Sequence, residues 1–491
     1  MQIFEKKELK KRSDNLSDWY TDVILKAELA DYAPVKGTMV IRPYGYALWE
    51  AVQEIFNRMM RTRGVENAYF PLFIPHSLLE KEKEHVEGFS PQLALVTIGG
   101  GEKLKDPLVV RPTSETIMYA MYAKWVHSWR DLPILINQWN NVVRWEKRTY
   151  LFLRTTEFLW QEGHTAHETE KKAIEMALAA FEWYRQVFED YLAIPVYQGI
   201  KSAAEKFAGA KTTYTNEALM PDGKALQSAT SHNLGQNFSK VFDIQFAGRD
   251  GKMEYVWQTS WGLSTRVLGG LFLTHGDDNG IILPPKIAPI QVVIVPIESK
   301  HVKKNALQSA RDLFLYIEPL KKELEGKGIR IRVDSSVESL GRKFNKWELK
   351  GVPLRFEIGD TEVDSNIIKV ARRDTFEKFN IQRSDIVAYT ERLLVEIQKS
   401  LFEKAKKFRD DNTRDAATYD EFKKIMSSTR GFIRAFWCED AACEAAIKEE
   451  TKASTRCLPL NSRPGLEHEA SGVCVRCGKP ASHRWLFAQS Y

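Results

Sequence analysis

The residues best suited to chemistry are arginines, carboxylates and aromatic rings between positions 142 and 167, and cysteines that all lie after position 437. The stretch VVRWEKRTYLFLRTTEFLWQEGHTAH (142–167) contains Arg144-x-Glu146, a short basic loop, and then Arg154-x3-Phe158. Read as a strand, alternation sets Arg144 and Glu146 on one side, and sets Phe158 and Trp160 together further along. A strand–loop–strand hairpin then gathers two guanidiniums, a carboxylate and an aromatic face in one cleft. Guanidiniums match triphosphate oxygens through paired N–H bonds, and the aromatic face suits a purine. Composition by itself favours a plainer reading, a surface hairpin laced by Arg–Glu salt bridges. Arg266, in TSWGLSTRVLGG (259–270), follows a strand and opens an apolar helix, which is a core-like setting for a charge. The chain contains neither G-x4-G-K-[ST] nor G-x-G-x-x-G, and Gly99-Gly100-Gly101 reads only as a turn, so ATP would be held without a glycine cradle.

Cys438-x4-Cys443 and Cys474-x2-Cys477 form two pairs. Thiolates so spaced can supply four soft ligands to a tetrahedral zinc at ~2.3 Å. Gly478, directly after the second pair, permits the tight turn that aims backbone N–H groups at sulfur. The competing reading is buried, unpaired thiols. No thioredoxin-like strand precedes Cys474, which weighs against a redox pair. Cys457 stands apart and reads as a core thiol. A metal held by all four would be structural, with no open position. His164-x2-His167 has no third ligand at a set spacing, so these histidines read as ordinary polar residues.

These residues must be positioned by 491 amino acids, which predicts two to four domains. At 43% hydrophobic and 28% charged, the chain is too apolar for disorder. A net charge of +6 permits a polyanionic partner without demanding one. No segment approaches the ~20 apolar residues of a membrane helix. The start, MQIFEKKELKKRSDN, has no apolar signal core, and five cysteines make no disulfide framework. A reducing, cytoplasmic setting is expected.

The pattern predicts a charged helix within 1–36, with Trp19, Tyr20 and Ile24 on one side. Helices at 46–63, 115–129 and 168–192 then alternate with aromatic strands at 67–74, 132–146, 154–161, 241–247 and 254–261. This implies an antiparallel sheet flanked by helices. Near 284 the texture changes. Strands at 291–297, 329–334, 353–359 and 366–372 alternate with helices at 302–325, 341–350 and 383–408, which reads as a small α/β domain. The composition shifts again from 409.

Arg144-x-Glu146, Arg154-x3-Phe158 and Arg266 in Gly262-Leu263-Ser264-Thr265-Arg266 resemble motifs 2 and 3 of class II aminoacyl-tRNA synthetases. Residues 41–75 resemble motif 1. RPTSET (111–116), RTTEFLWQEGHTAH (154–167), SHNLGQNF (231–238), SWGLSTR (260–266) and KWELKGVPLRFEIG (346–359) are similar to prolyl-tRNA synthetases, in order, from about residue 15 to 491. About ninety residues separate motifs 2 and 3, too few for a bacterial-type editing insertion. The layout therefore resembles the archaeal/eukaryotic-like branch. Thr265, rather than an acid, precedes Arg266, a departure from the general class II pattern.

The resemblance implies an α/β multidomain protein. Its class II catalytic core, an antiparallel sheet with flanking helices, would occupy 1–285. An α/β anticodon-binding domain would follow at 286–400, and a small α+β zinc-binding domain at 401–491. It implies attachment of L-proline to tRNA(Pro) through prolyl-adenylate, with ATP and Mg²⁺, a structural Zn²⁺, a homodimer formed through motif 1, and no membrane. Arg144 and Arg266 would be catalytic. Thr113, Glu115, Arg144, Trp160, Glu162, His164, His232 and Ser264 would hold proline. Arg144, Glu146, Arg154, Thr155, Phe158, Gln227, Thr230 and Arg266 would hold ATP. Cys438, Cys443, Cys474 and Cys477 would hold the metal. Lys346, Glu348, Lys350, Arg355, Glu357 and Arg372 are anticodon candidates. The apolar tail ending in Tyr491 is expected to pack back toward the catalytic domain, adding its carboxylate there. Two other readings stay open: a synthetase-like tRNA-binding protein without catalysis, and a class II ligase for threonine, serine or glycine.

Overall fold

The computed structural model describes residues 9–80, 93–297, 306–460 and 471–491. The first eight residues of the expected N-terminal helix, and 302–305 of the expected 302–325 helix, lie outside them. What remains of these two is Leu16–Lys26 and Ala306–Glu325. Asn15 caps the first by accepting from the N–H groups of Ser17 and Asp18, and Trp19, Tyr20, Val23 and Ile24 are buried on one side. Helix Pro43–Arg61 opens on proline at a position where the missing N–H costs nothing. It buries Leu48, Trp49, Val52, Ile55, Phe56 and Met60, a helical stripe facing the core. Helix Glu170–Gln186, capped by Thr169, ends in a π-helical turn, Val187–Tyr191.

Among the described residues, eleven strands form one sheet. Its middle is antiparallel and runs, in spatial order, Val196–Ile200, Thr212–Leu219, Ala225–Gly235, Trp257–Ser264, Glu157–His167 and Ile134–Val143. One face packs on Glu170–Gln186, where Phe56 stacks on Tyr184 at 5.2 Å and Trp183 meets Trp261 edge-on at 6.0 Å. The other face is left for the site.

Three expectations are corrected. The strand expected at 132–146 ends at Val143, before both Arg144 and Glu146, because the chain from 144 to 156 leaves the ladder as a loop closed by the Tyr150–Arg154 bridge. The strand expected at 241–247 is a short helix, Asn237–Val241, followed by Gln245–Ala247. The strand expected at 67–74 is split into Glu66–Asn67 and Phe73–Pro75. Unanticipated are Val196–Ile200, Thr212–Leu219 and Ala225–Gly235, half of the central sheet.

Residues 291–382 form a five-stranded sheet in the order Ile331–Val333, Val292–Ile297, Leu354–Gly359, Ile367–Arg372, Lys378–Gln382. The first three strands are parallel and the rest antiparallel. Val292, Ile294, Leu354, Phe356 and Ile358 are buried there against helices Ala306–Glu325 and Ile386–Asp411. The latter helix runs through position 400 without a break.

The C-terminal strands join the catalytic sheet directly, since Leu458 and Pro459 pair with Ile200 and Gly199. A side chain at 199 would sit 2.4 Å from the Leu458 carbonyl, so only glycine allows this approach. Buried Glu217 cements the junction, 2.8 Å from both Lys201 Nζ and Arg456 Nη2. The tail packs on the catalytic sheet as expected: Tyr491 N–H donates to the Ala225 carbonyl at 3.2 Å, and Lys224 lies over the Tyr491 ring.

Candidate active site and cysteine cluster

The strand registers decide which side chains share the open face. Ser264, Gly262 and Ser260 lie opposite Trp160, Glu162 and His164, while Thr230 and His232 lie opposite Gly262 and Ser260. Side chains two apart project to one face, so these strands form the floor of a single hollow of about 270 Å³. His167 falls on the other face with Thr165, whose hydroxyl is 2.8 Å from its Nε2, and burial lowers its pKa to about 4.

The wall comes from the loop before helix Glu115–Trp125. Ser114 binds buried Glu162 through both N–H, at 3.1 Å, and hydroxyl, while Thr113 donates to Glu115. Asn140 and Gln138 also donate to Glu162, and His164 Nε2 lies 3.1 Å from its other oxygen. Burial alone would lower the His164 pKa. The hydrogen bond to Glu162 and the charges of Glu115 and Glu162 outweigh it and raise the value. Burial pushes Glu162 up, and His164 and Ser114 outweigh that and hold it low. Glu115, Glu162 and the His164 ring therefore share one part of the hollow.

Arg144 and Arg266 line the same hollow, with Arg144 within electrostatic reach of Glu115 and Glu162. Arg144 Nε donates to the Pro112 carbonyl at 3.0 Å, and its guanidinium carbon lies 5.5 and 5.2 Å from the ring centres of Phe158 and Trp160. Arg266 opens helix Arg266–His275 and is aimed by its Nε bond to the Leu153 carbonyl at 2.9 Å. Burial, then the neighbouring cations Arg144 and Arg154, bring the Arg266 pKa down to about 10. Such crowding of cations costs free energy unless an anion is shared between them.

The hollow thus unites Thr113, Glu115, Arg144, Phe158, Trp160, Glu162, His164, Gln227, Thr230, His232, Ser264 and Arg266. Glu146 and Arg154 do not line it. They pair with each other at 2.8 Å on the motif 2 loop. Thr155 is buried off the hollow, its hydroxyl on the Glu157 carbonyl at 2.7 Å. Sequence reasoning passed over Lys201, Glu205, Phe207, Thr213 and Ser260, which also line it. No motif marks the first four, which belong to a strand and loop that polar composition concealed, while Ser260 opens SWGLSTR on the strand expected at 254–261. Buried Trp160 Nε1 and Ser260 Oγ have no hydrogen-bond partner among the described residues, which is where a ligand's polar atoms would be met.

In the C-terminal unit, Cys438, Cys443, Cys474 and Cys477 bring their sulfurs within 4.8 Å of one another. The Cys443–Cys474 and Cys438–Cys477 Sγ separations are 3.7 and 3.5 Å. Four sulfurs around one tetrahedral zinc would lie about 3.8 Å apart, so the donor set fits that ion. These distances are too long for a disulfide at about 2.05 Å. Gly478, at φ +71°, makes the turn foreseen after the second pair, and its N–H donates to the Cys474 carbonyl. Cys457 is buried elsewhere, as expected for a core thiol.

The anticodon candidates divide. Glu348, Arg355 and Arg372 line a small hollow with Arg373, Phe376 and Lys378. Glu357 is buried beside it, bonded to Arg355 and Lys378 at 2.9 Å. Lys346 and Lys350 face a separate groove toward the catalytic unit, where Lys350 pairs with Glu28 at 2.6 Å.

Three sequence families match successive parts of the chain. They are the tRNA synthetase class II core domain (G, H, P, S and T) over 97–274, an anticodon binding domain over 291–393, and the prolyl-tRNA synthetase C-terminal domain over 419–491. The chain is 51% identical over 488 residues to a proline–tRNA ligase of Natranaerobius thermophilus, covering 99% of this chain and 98% of the relative. It is 51% identical over 485 residues to proline–tRNA ligase 2 of Clostridioides difficile, with 99% and 98% covered. It is 52% identical over 487 residues to a chloroplastic/mitochondrial proline–tRNA ligase of Arabidopsis thaliana, with 98% and 88% covered. With the class II core, the anticodon-binding sheet and the four-cysteine C-terminal unit all in place, the chain belongs to the prolyl-tRNA synthetase family.

Proposed function

We propose that the hollow holds proline and the α-phosphate of ATP side by side, so that this proline–tRNA ligase makes prolyl-adenylate there and then passes the prolyl group to tRNA(Pro). The observation that carries the reading is the lining of one cavity, which joins Arg144 and Arg266 to Glu115, Glu162 and His164. The proline carboxylate attacks the α-phosphorus and pyrophosphate leaves. The terminal ribose hydroxyl of the tRNA then attacks the prolyl carbonyl and AMP leaves. Negative charge builds on phosphate oxygens in the first step, and the two guanidiniums stabilise it without any protein nucleophile. Glu115 and Glu162 match the secondary ammonium of proline, and Trp160 and His164 bound the pyrrolidine ring. Phe158 offers its face to adenine, with Gln227 and Thr230 beside the ribose. Glu146, Arg154 and Thr155 would act only after the motif 2 loop closes over ATP. Mg²⁺, arriving with ATP, would supply further neutralisation of the phosphate charge.

Glu115, Glu162 and His164 lie close enough to hold a cation. Glu162 already accepts from Ser114, Asn140, Gln138 and His164, so the trio suits an ammonium better than a metal. This favours proline over an amino acid recognised through a metal. ATP–pyrophosphate exchange screened across amino acids tests the reading. Proline-dependent exchange supports it. Exchange with threonine, serine or glycine but not proline overturns it, and no exchange with any amino acid points to a non-catalytic tRNA-binding protein.

The cysteine cluster is assigned a structural zinc. Cys438→Ser should take zinc from about one per chain to near zero, with a lower melting temperature and a smaller effect on exchange. Unchanged zinc content would count against the site. Anticodon bases are assigned to the hollow around Glu348, Arg355 and Arg372, where guanidiniums and an aromatic ring can meet splayed bases. Exposed Tyr32, Val35, Val40 and Tyr46 lie on and beside the motif 1 helix and support a homodimer through that face, checked by sedimentation equilibrium. Among the described residues no helix is long and apolar enough to cross a membrane. The free thiols support a reducing, cytoplasmic setting.

A further inference from the structure

Residues 201–207 have no regular secondary structure, yet Lys201, Glu205 and Phe207 line the hollow. Phe207 stacks on His232 with ring centres 4.5 Å apart, and its N–H donates to Thr213 Oγ1, which in turn lies 3.0 Å from His232 Nδ1. A segment without a backbone ladder takes its shape from side-chain anchors. Some anchors come from the neighbouring strand, through Thr213 and Glu217, and others come from the C-terminal unit. Glu444, on helix Ala441–Thr451, reaches across to the catalytic unit. Its Oε1 accepts from Ser202 Oγ at 3.0 Å and from Thr455 Oγ1. Ser202 Oγ also accepts from the Glu205 N–H at 3.2 Å, which curls the segment back on itself. Ser202, Glu444 and Thr455 are all buried, so water cannot substitute for these bonds. Four residues further along the same helix, Lys448 pairs with Glu205 at 3.0 Å on the outer side.

We propose that Glu444 is a positioning residue for the amino-acid pocket. Through Ser202 it holds the 201–207 segment against the site, so that Phe207 and His232 keep their stack and the hollow keeps its shape on the proline side. The helix that does this also carries Cys443, one of the clustered thiols. The C-terminal unit therefore acts on substrate binding as well as on stability. The ATP side, built on Arg144, Phe158 and Arg266, should not register the loss of the Glu444 anchor. The inference rests on the reading that proline occupies this hollow.

The test is proline-dependent ATP–pyrophosphate exchange by the full chain, with proline and ATP each titrated, for wild type, Glu444→Ala, Glu444→Gln and Ser202→Ala. Melting temperature and zinc content are measured alongside. Glu444→Ala and Ser202→Ala should raise the KM for proline about tenfold, a loss matching about one buried hydrogen bond. The KM for ATP should stay within about twofold. Glu444→Gln, which keeps the acceptor oxygen, should restore most of the proline affinity. Ser202→Ala, which removes only a hydroxyl, keeps the question answerable if Glu444→Ala fails to fold. An unchanged KM for proline in a folded Ser202→Ala overturns the inference. So does a loss that falls equally on ATP and proline and follows melting temperature. If wild type itself shows no exchange with proline, the reading of the pocket fails first, and that result is distinct from the other two.

Discussion

Arg144→Ala should lower proline-dependent ATP–pyrophosphate exchange by about three orders of magnitude, the cost typical of removing one preorganised donor to a developing anion. Arg144 lines the hollow within electrostatic reach of Arg266 and of the carboxyl groups of Glu115 and Glu162. Its Nε is fixed by the Pro112 carbonyl, and its plane is flanked by Phe158 and Trp160. A side chain locked this way spends no reorganisation at the moment of reaction. Arg144→Lys should recover little, because an ammonium cannot reproduce the planar fork or its stacking. The melting temperature should change far less than the rate, since removing one of several crowded cations also relieves repulsion around Arg266, whose pKa burial and Arg144 depress together. If exchange by folded Arg144→Ala stays within tenfold of wild type, the assignment of Arg144 to the phosphate is wrong.

Glu115→Gln should raise the KM for proline by about two orders of magnitude while the KM for ATP stays nearly constant, as expected when a charged hydrogen bond to an ammonium becomes a neutral one. Glu115 is buried at the start of its helix, with Thr113 donating to it, and contributes to the raised pKa of His164. Removing its charge leaves Glu162 engaged by His164 and the ammonium without a free counter-anion. The pH profile should shift with it. His164 is raised in the folded state, so its ion pair is complete below the unfolded value near 6.5 and is lost as pH rises through the folded value. Without Glu115 that folded value drops and the loss begins at lower pH. Titration of proline binding between about pH 6 and 9 measures the change. A KM for proline and a profile matching wild type would remove Glu115 from the pocket.

The helices were legible because each buries an apolar stripe at helical spacing, as Trp49, Val52 and Phe56 do on the motif 1 helix. So were the strands of the anticodon-binding sheet, which are apolar on both faces between covering helices, as Val292–Val295 are. Thr212–Leu219 and Ala225–Gly235 escaped notice for the opposite reason. Thr213, Thr215, Glu217, Thr230 and His232 turn toward the site, where burial is among polar partners and substrate rather than among hydrocarbon. A strand that serves a binding floor on one face loses the alternation that would reveal it. The loop after Val143 misled in a related way: alternation holds only while the ladder continues, and pairing there ends one residue before Arg144.

Residue types and their order alone determined the family, the three-part layout, the four thiols and most side chains of the hollow, because those depend on chemistry that few other residues can supply. Only the tertiary structure decided that Arg144 and Arg266 share one cavity while Arg154 and Glu146 pair off beside it. It alone brought Lys201, Phe207 and Ser260 to the same wall, and ran the C-terminal strands into the catalytic sheet through Leu458 and Ile200. The reason is that strand register and loop path, which arise from packing between segments hundreds of residues apart, set where a side chain ends up, and no local pattern records them.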